Sequence, residues 1–228
     1  MNKSWKIPPQ QNAEFVARME DILSLYLKGY DPNYPVVCVD ESSKQQLQEV
    51  VDSLAMKPGS LARYDNEYKR NGVSNLFMAF EPLRGWRHVK VTDRRKAVDF
   101  ASFVEELVDN HYPEAQKVRL VMDNLNTHNV ASLYKTFPPQ KAFRIAQKLE
   151  IHYTPKHGSW LNMAEIEFSA LLRQCTNRRI GDQQTLIEEI QSWEKKRNES
   201  TVKCNWQFKT SDARIKLRKL YPIIEEDN

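Results

Sequence analysis

Two short apolar runs, each closing on an aspartate, constrain this chain most. Val36-Val37-Cys38-Val39 ends at Asp40, and Val118-Arg119-Leu120-Val121-Met122 ends at Asp123. Runs this short and rich in β-branched residues read as strands buried in a sheet. A carboxylate at the end of a buried strand is costly unless it reaches water, a partner or a cation. Either aspartate alone reads as an ordinary loop acid; two in one fold favour a shared site more than either does alone.

The patterning around these runs predicts an α/β domain. Phe15, Met19, Ile22 and Tyr26 recur at helical spacing within residues 10–28, and Gly29 stops that helix. Residues 73–80 and 86–91 read as two further strands, with a turn at Arg84-Gly85. Asp93 is a candidate cap for a helix running to residue 110, with Ala97, Phe100, Ala101, Val104 and Leu107 on one face. Beyond Asp123 a helical stretch breaks at Pro138-Pro139, resumes over residues 141–149, and leads to a strand at residues 151–153. Further helices are expected from Ser159, over residues 183–196 and over residues 212–220. The result is a mixed five-stranded sheet flanked by helices, an order found in a ribonuclease-H-like core but not unique to it.

A third carboxylate comes from the helix after Ser159. Leu161, Ala164, Phe168, Leu171 and Leu172 form one stripe there; Glu165 borders it, and Glu167 points about a quarter-turn further away. Glu165 either reaches solvent or needs a partner, which a metal supplies. Three carboxylates on separate elements suit a pair of magnesium ions, which take hard oxygen ligands. Two such ions activate a hydroxyl nucleophile and stabilise a leaving 3′ oxygen. After Asp123 the run Asn124-Leu125-Asn126-Thr127-His128 is dense in polar groups that can orient water or phosphate, or simply cap a helix. There is no Gly-rich phosphate loop and no Gly-x-Ser-x-Gly elbow. Neither the histidines (His88, His111, His128, His152, His157) nor the cysteines (Cys38, Cys175, Cys204) show zinc spacing.

The formal net charge is +4, and its distribution matters more than its size. Residues 57–96 hold ten Lys or Arg against four Asp or Glu; residues 203–219 hold six against one, with Trp206 and Phe208 interleaved. Such stretches are either solvated surface or a path for nucleic acid, and Lys203, Trp206, Arg214 and Lys216 are the candidate DNA contacts. The chain lacks a signal-peptide pattern and any apolar stretch long enough to cross a bilayer, so a cytoplasmic location is expected.

These motifs together resemble the DDE transposases of the mariner superfamily, in particular its bacterial insertion-sequence branch. Val37-Cys38-Val39-Asp40-Glu41 looks like the family's first-Asp strand, and Val121-Met122-Asp123-Asn124-Leu125-Asn126-Thr127-His128 like its second-Asp motif. Tyr153-Thr154-Pro155 with Ser159-Trp160-Leu161-Asn162-Met163-Ala164-Glu165 resembles its third motif, and Asn205-Trp206-Gln207-Phe208 with Asp212-Ala213-Arg214 resembles the tail of this branch. The inserted Lys156-His157-Gly158 and the missing proline after Asn162 depart from the pattern. The resemblance implies a ribonuclease-H-like (retroviral-integrase-like) fold, with Asp40, Asp123 and Glu165 as catalytic metal ligands and Asn124 and His128 in support. Glu41 and Glu167 match no catalytic position. It further implies two Mg2+ ions (Mn2+ can substitute), cleavage of element ends, strand transfer by a 3′ hydroxyl into target DNA at TA, and a homodimer when active.

The expected organisation is an N-terminal helix and linker over residues 1–34, serving packing or dimerisation, a catalytic domain over residues 35–200, and a basic tail over residues 201–228. With fewer than forty residues before the first strand, a helix-turn-helix DNA-binding domain is expected on a separate subunit or a longer frameshifted product. The expected location is the bacterial nucleoid. The competing readings are a ribonuclease-H-like nuclease without strand transfer, and a domesticated DNA-binding protein; an intact acid triad argues against the latter.

Overall fold

A computed structural model of the protein describes residues 12–51, 56–61, 66–125 and 127–223. The Pro8-Pro9 pair, the expected helix start at Gln10, Arg63 of the first basic stretch, and Asn126 lie outside the described residues. The chain runs α1 (Ala13–Tyr26), β1 (Val36–Glu49), β2 (Tyr68–Glu81), β3 (Trp86–Thr92), α2 (Ala97–Glu106), β4 (Val118–Met122), α3 (Ala131–Thr136), α4 (Pro139–Gln147), β5 (Leu149–Tyr153), α5 (Ala164–Leu171), α6 (Gln183–Glu199) and α7 (Thr210–Lys216). The strands form one sheet in the order β3-β2-β1-β4-β5. β1 is antiparallel to β2 and β2 to β3, while β4 runs parallel to both β1 and β5. This is the ribonuclease-H-like arrangement the sequence leads one to expect.

Strand alternation sorts the apolar residues onto two faces. Val37, Val39, Phe77, Ala79, Leu120 and Met122 pack beneath α2, α3 and α4 with Phe100, Phe103, Val104 and Ile145. On the other face Cys38, Phe80 and Val121 meet α1, the start of α5, and α7, through Met19, Ile22, Ala164 and Ala213. Leu76, Met78 and Val89 on that face pack against the end of α5 and against α6. The first helix is thus part of the core: Phe15, Met19, Ile22, Leu23 and Leu25 are buried.

Three local expectations need correction. Asp40 does not end its strand. β1 continues through a polar second half to Glu49, held by pairing with β2 as far as Glu49↔Tyr68. Only Val36, Val37 and Cys38 pair with β4, so Asp40 lies just past the point where that side of β1 loses its neighbour. Asp93 does not cap α2; the helix starts at Ala97, and the Lys96 amide donates to the Asp99 carboxylate at 2.8 Å. Ser159 does not begin α5 either: Ser159–Leu161 is a single 3-10 turn, and the α-helix starts at Ala164.

Candidate active site

The parallel register that pairs Cys38 with Val121 carries Asp40 level with Asp123, two residues on in each strand. Asp40 projects to the face that α5 covers, the face of Cys38, and Glu165 enters from the first turn of that helix. Burial pushes the Asp40 carboxyl up to about 7; a 2.8 Å hydrogen bond from the Glu41 amide pulls the other way, and the negative charges of Asp123 and Glu165 add to the rise. Three carboxyl groups from β1, from the end of β4 and from α5 therefore sense one another in one partly buried place.

The position of α5 depends on Asn162, which is almost fully buried. Its Nδ2 donates to the Val39 carbonyl at 2.9 Å, and its Oδ1 accepts the Ala164 amide at 3.1 Å. The Val39 carbonyl is available because β1 has run past β4. One side chain thus satisfies an orphaned strand carbonyl and an orphaned helix amide. It ties the residue before Asp40 to the turn that carries Glu165.

Asp123 is held from the other face. Its carboxylate accepts a short hydrogen bond from Nδ1 of His128, a fully buried residue. The His128 ring packs against Phe100 with centroids 4.8 Å apart, and its Nε2 faces Glu41 Oε2 at 3.6 Å, an ion-pair contact longer than a hydrogen bond. Burial opposes a charge on this imidazole, but Asp123 and Glu41 outweigh it and raise its pKa to about 9, so His128 is a cation at neutral pH. Arg95 reaches the other oxygen of Glu41 at 3.4 Å. Glu41 is the residue that sequence reasoning set aside: its place next to Asp40 puts it on the opposite face of the strand, where it supports His128. Asn124 is exposed.

The expectation for Glu167 is reversed. Of the two acids on α5, Glu167 is the buried one, and Glu165 is half-buried. The α-helix starts at Ala164, and its buried residues are Ala164, Glu167, Ala170 and Leu171. The expected stripe holds at Leu161, Ala164 and Leu171, which are buried, while Phe168 is half-buried and Leu172 exposed; Glu167 is buried as well because another side of α5 meets Arg87 and Arg197.

Oxygen-only donors suit magnesium or manganese, and the mutual electrostatic strain on Asp40 is what a divalent cation relieves. The three carboxylates do not each bring an oxygen within 4.8 Å of the other two. Two ions about 4 Å apart draw on a wider set of oxygens than one ion does, so the spread is compatible with a two-ion site.

The tail candidates separate. Lys203 and Lys216 are exposed, the latter with its ammonium 5.7 Å from the Phe208 ring centre. Trp206 is half-buried beside Tyr26 and Trp160 and donates its indole N–H to the Phe208 carbonyl at 2.7 Å. Arg214 makes two 2.9 Å hydrogen bonds to Glu20 of α1. No helix among the described residues is long and apolar enough to cross a membrane.

Residues 35–187 match the family described as DDE superfamily endonuclease. A search of curated proteins returned no match. Among solved structures, the chain is similar to the Mos1 mariner paired end complex with Mn, at 15% identity and a TM-score of 0.55, over 89% of this chain and 62% of that one. It is similar to the Mos1 strand transfer complex at 13% identity and a TM-score of 0.56, over 89% of this chain and 65% of that one. The catalytic domain of Mos1 mariner transposase matches at 11% identity and a TM-score of 0.55, over 86% of this chain and 96% of that domain. At such identities the likeness is one of fold, and the chain spans less than two thirds of the first two.

Proposed function

From the premise that this chain belongs to the DDE superfamily endonuclease family, we propose that it is the catalytic core of a mariner-type DNA transposase, with Asp40, Asp123 and Glu165 as the ligands of two Mg2+ ions. The observation that carries this reading is geometric: the β1–β4 register sets the half-buried Asp40 level with Asp123, and the Asn162 bond to the Val39 carbonyl holds the first turn of α5, with Glu165, against the same stretch of β1. Bound there, the ions would activate a hydroxyl nucleophile and stabilise the leaving 3′ oxygen of DNA.

The chain's own groups set the geometry. Asp40 is oriented by the Glu41 amide. His128, charged between Glu41 and Asp123, holds the Asp123 carboxylate through one of its oxygens. Asn162 keeps the first turn of α5, and so Glu165, against β1. The exposed Lys203 and Lys216 suit phosphate contacts. Target choice at TA, action as a homodimer and recognition of element ends by a separate DNA-binding subunit extend the same reading; the solved relatives are described as paired-end and strand-transfer complexes.

The test is a two-stage assay, with uncut element ends to read cleavage and pre-cut ends with a target duplex to read joining. In magnesium, joining of the 3′ end to target is expected. Asp40→Asn, Asp123→Asn and Glu165→Gln should each abolish it while the protein remains folded, and chelation with EDTA should do the same to the unaltered chain. End cleavage without joining would favour the nuclease reading. Full activity in any of the three variants would overturn the site.

A further inference from the structure

A second group of side chains, outside the acid triad, has the makings of a metal site. His88 lies on the edge strand β3, two strands from β1, and Glu106 ends α2. His111 closes a π-helical turn, Leu107–His111, that continues from α2. Among the described residues these three alone bring one ligand atom each within 4.8 Å of one another. We propose that His88, His111 and Glu106 bind a zinc-class transition-metal dication through two imidazoles and one carboxylate, clamping β3 to the end of α2.

The π turn is what makes the site. Residues five apart diverge by about 140° around an α-helix, which would turn His111 away from Glu106. Here the Tyr112 amide donates to the Leu107 carbonyl at 2.9 Å, an i→i+5 bond that widens the turn. The widened turn brings His111 back over Glu106 and sets its ring 4.6 Å from that of His88. Such turns are rare and concentrate at functional sites.

The surroundings are built as a metal's outer shell is built. Glu194 of α6 lies 3.3 Å from Nδ1 of His88 through Oε1, while its Oε2 accepts the Val89 amide at 2.7 Å. That carboxylate fixes the ring and leaves Nε2 facing Glu106 Oε1 at 3.1 Å, an arrangement that orients histidine ligands. Lys90 holds the other Glu106 oxygen at 2.8 Å. Trp86 and Phe103 wall the pair of rings, with centroids 4.8 Å from His111 and 6.0 Å from His88. All three ligands are partly buried, with enough exposure for an ion to enter from solvent and for water to complete its shell.

Two nitrogens and one oxygen match zinc and its neighbours in the transition series. They do not match magnesium, which takes oxygen, so the two sites separate by chemistry. The experiment is titration of the full chain with Zn2+ by calorimetry, and with Co2+ by its visible d–d absorption, in excess Mg2+ to fill oxygen-only sites. One equivalent should bind, with cobalt bands of imidazole ligation. His111→Ala should abolish that binding, and Glu194→Gln should weaken it about 10–100-fold. Asp40→Asn should leave it unchanged. If His111→Ala fails to fold by circular dichroism, Glu106→Gln carries the same expectation. No saturable zinc binding, binding that survives His111→Ala or Glu106→Gln in a folded protein, or binding lost in Asp40→Asn would overturn the site; the cluster would then be an ion-paired group bracing β3.

Discussion

Glu167 Oε1 lies 3.0 Å from Nε of Arg87, a guanidinium with no exposed surface. Arg197 approaches the same carboxylate, with Nη2 3.0 Å from Oε2. Arg87 also donates to the carbonyls of Gly85 and Arg197 at 2.8 Å and of Val202 at 2.6 Å, and so gathers β3, α6 and the start of the tail around one charge. Two residues earlier on α5, Glu165 faces the acid site. One helix therefore carries a buried, ion-paired carboxylate and the proposed metal-ligating one two residues apart.

The two acids should separate in the laboratory. Glu167→Ala strands buried guanidinium charge and should lower the unfolding free energy by about 3–5 kcal/mol. Glu165→Gln should leave stability within about 0.5 kcal/mol and abolish magnesium-dependent cleavage. Urea unfolding beside a cleavage assay reads both; loss of stability in the Glu165 variant instead would reverse the assignment.

Asn162 positions rather than reacts. Asn162→Leu leaves the Val39 carbonyl without its donor and the Ala164 amide without its acceptor, a cost of about 1–3 kcal/mol for a buried group. Because the start of α5 loses its tie to β1, cleavage should fall by much more at temperatures where the variant is fully folded. A variant that unfolds earlier yet cleaves at the normal rate would remove Asn162 from the positioning of Glu165.

In the tail, Lys203 and Lys216 are free to meet phosphate, whereas Arg214 is engaged by Glu20. Changing both lysines to Gln should flatten the log–log salt dependence of DNA binding by about one unit per contact. Arg214→Gln should act mainly on the seating of α7. Equal salt slopes for the double variant and the unaltered chain would take these lysines off the DNA path.

The Glu20 clamp is also acid-labile. Hydrogen bonding to Arg214 lowers the Glu20 pKa against the opposing effect of burial, and Tyr221 adds a 2.8 Å hydrogen bond. A carboxylate depressed in the folded state contributes stability above its unfolded pKa and loses it as pH falls through the folded value. Hydrogen-exchange protection factors at α7, taken relative to the intrinsic rate at each pH, should therefore fall on acidification below the ordinary glutamate range, ahead of global unfolding. Glu20→Gln should show low protection already at neutral pH and lose that step; an unchanged profile would show that the clamp does not hold α7.

Much of this was legible from local pattern. β4 falls on residues 118–122 as the apolar run indicates, α6 starts at Gln183, and the stripe Phe15, Met19, Ile22 is the buried face of α1. What eluded local reading depends on distant partners. The polar half of β1 is a strand because β2 lies beside it, and Arg87 is buried because Glu167 and three carbonyls surround it.

Amino-acid order alone determined which segments are apolar, on which period, and that two aspartates follow apolar runs; these are properties of neighbours in the chain, set by side-chain alternation and helical pitch. Tertiary structure decided the burial of Glu167, the cationic bridge from Glu41 through His128 to Asp123, and the meeting of His88 with His111. Those outcomes turn on which orphaned carbonyl, amide or charge is satisfied across tens of residues, and no local period encodes that.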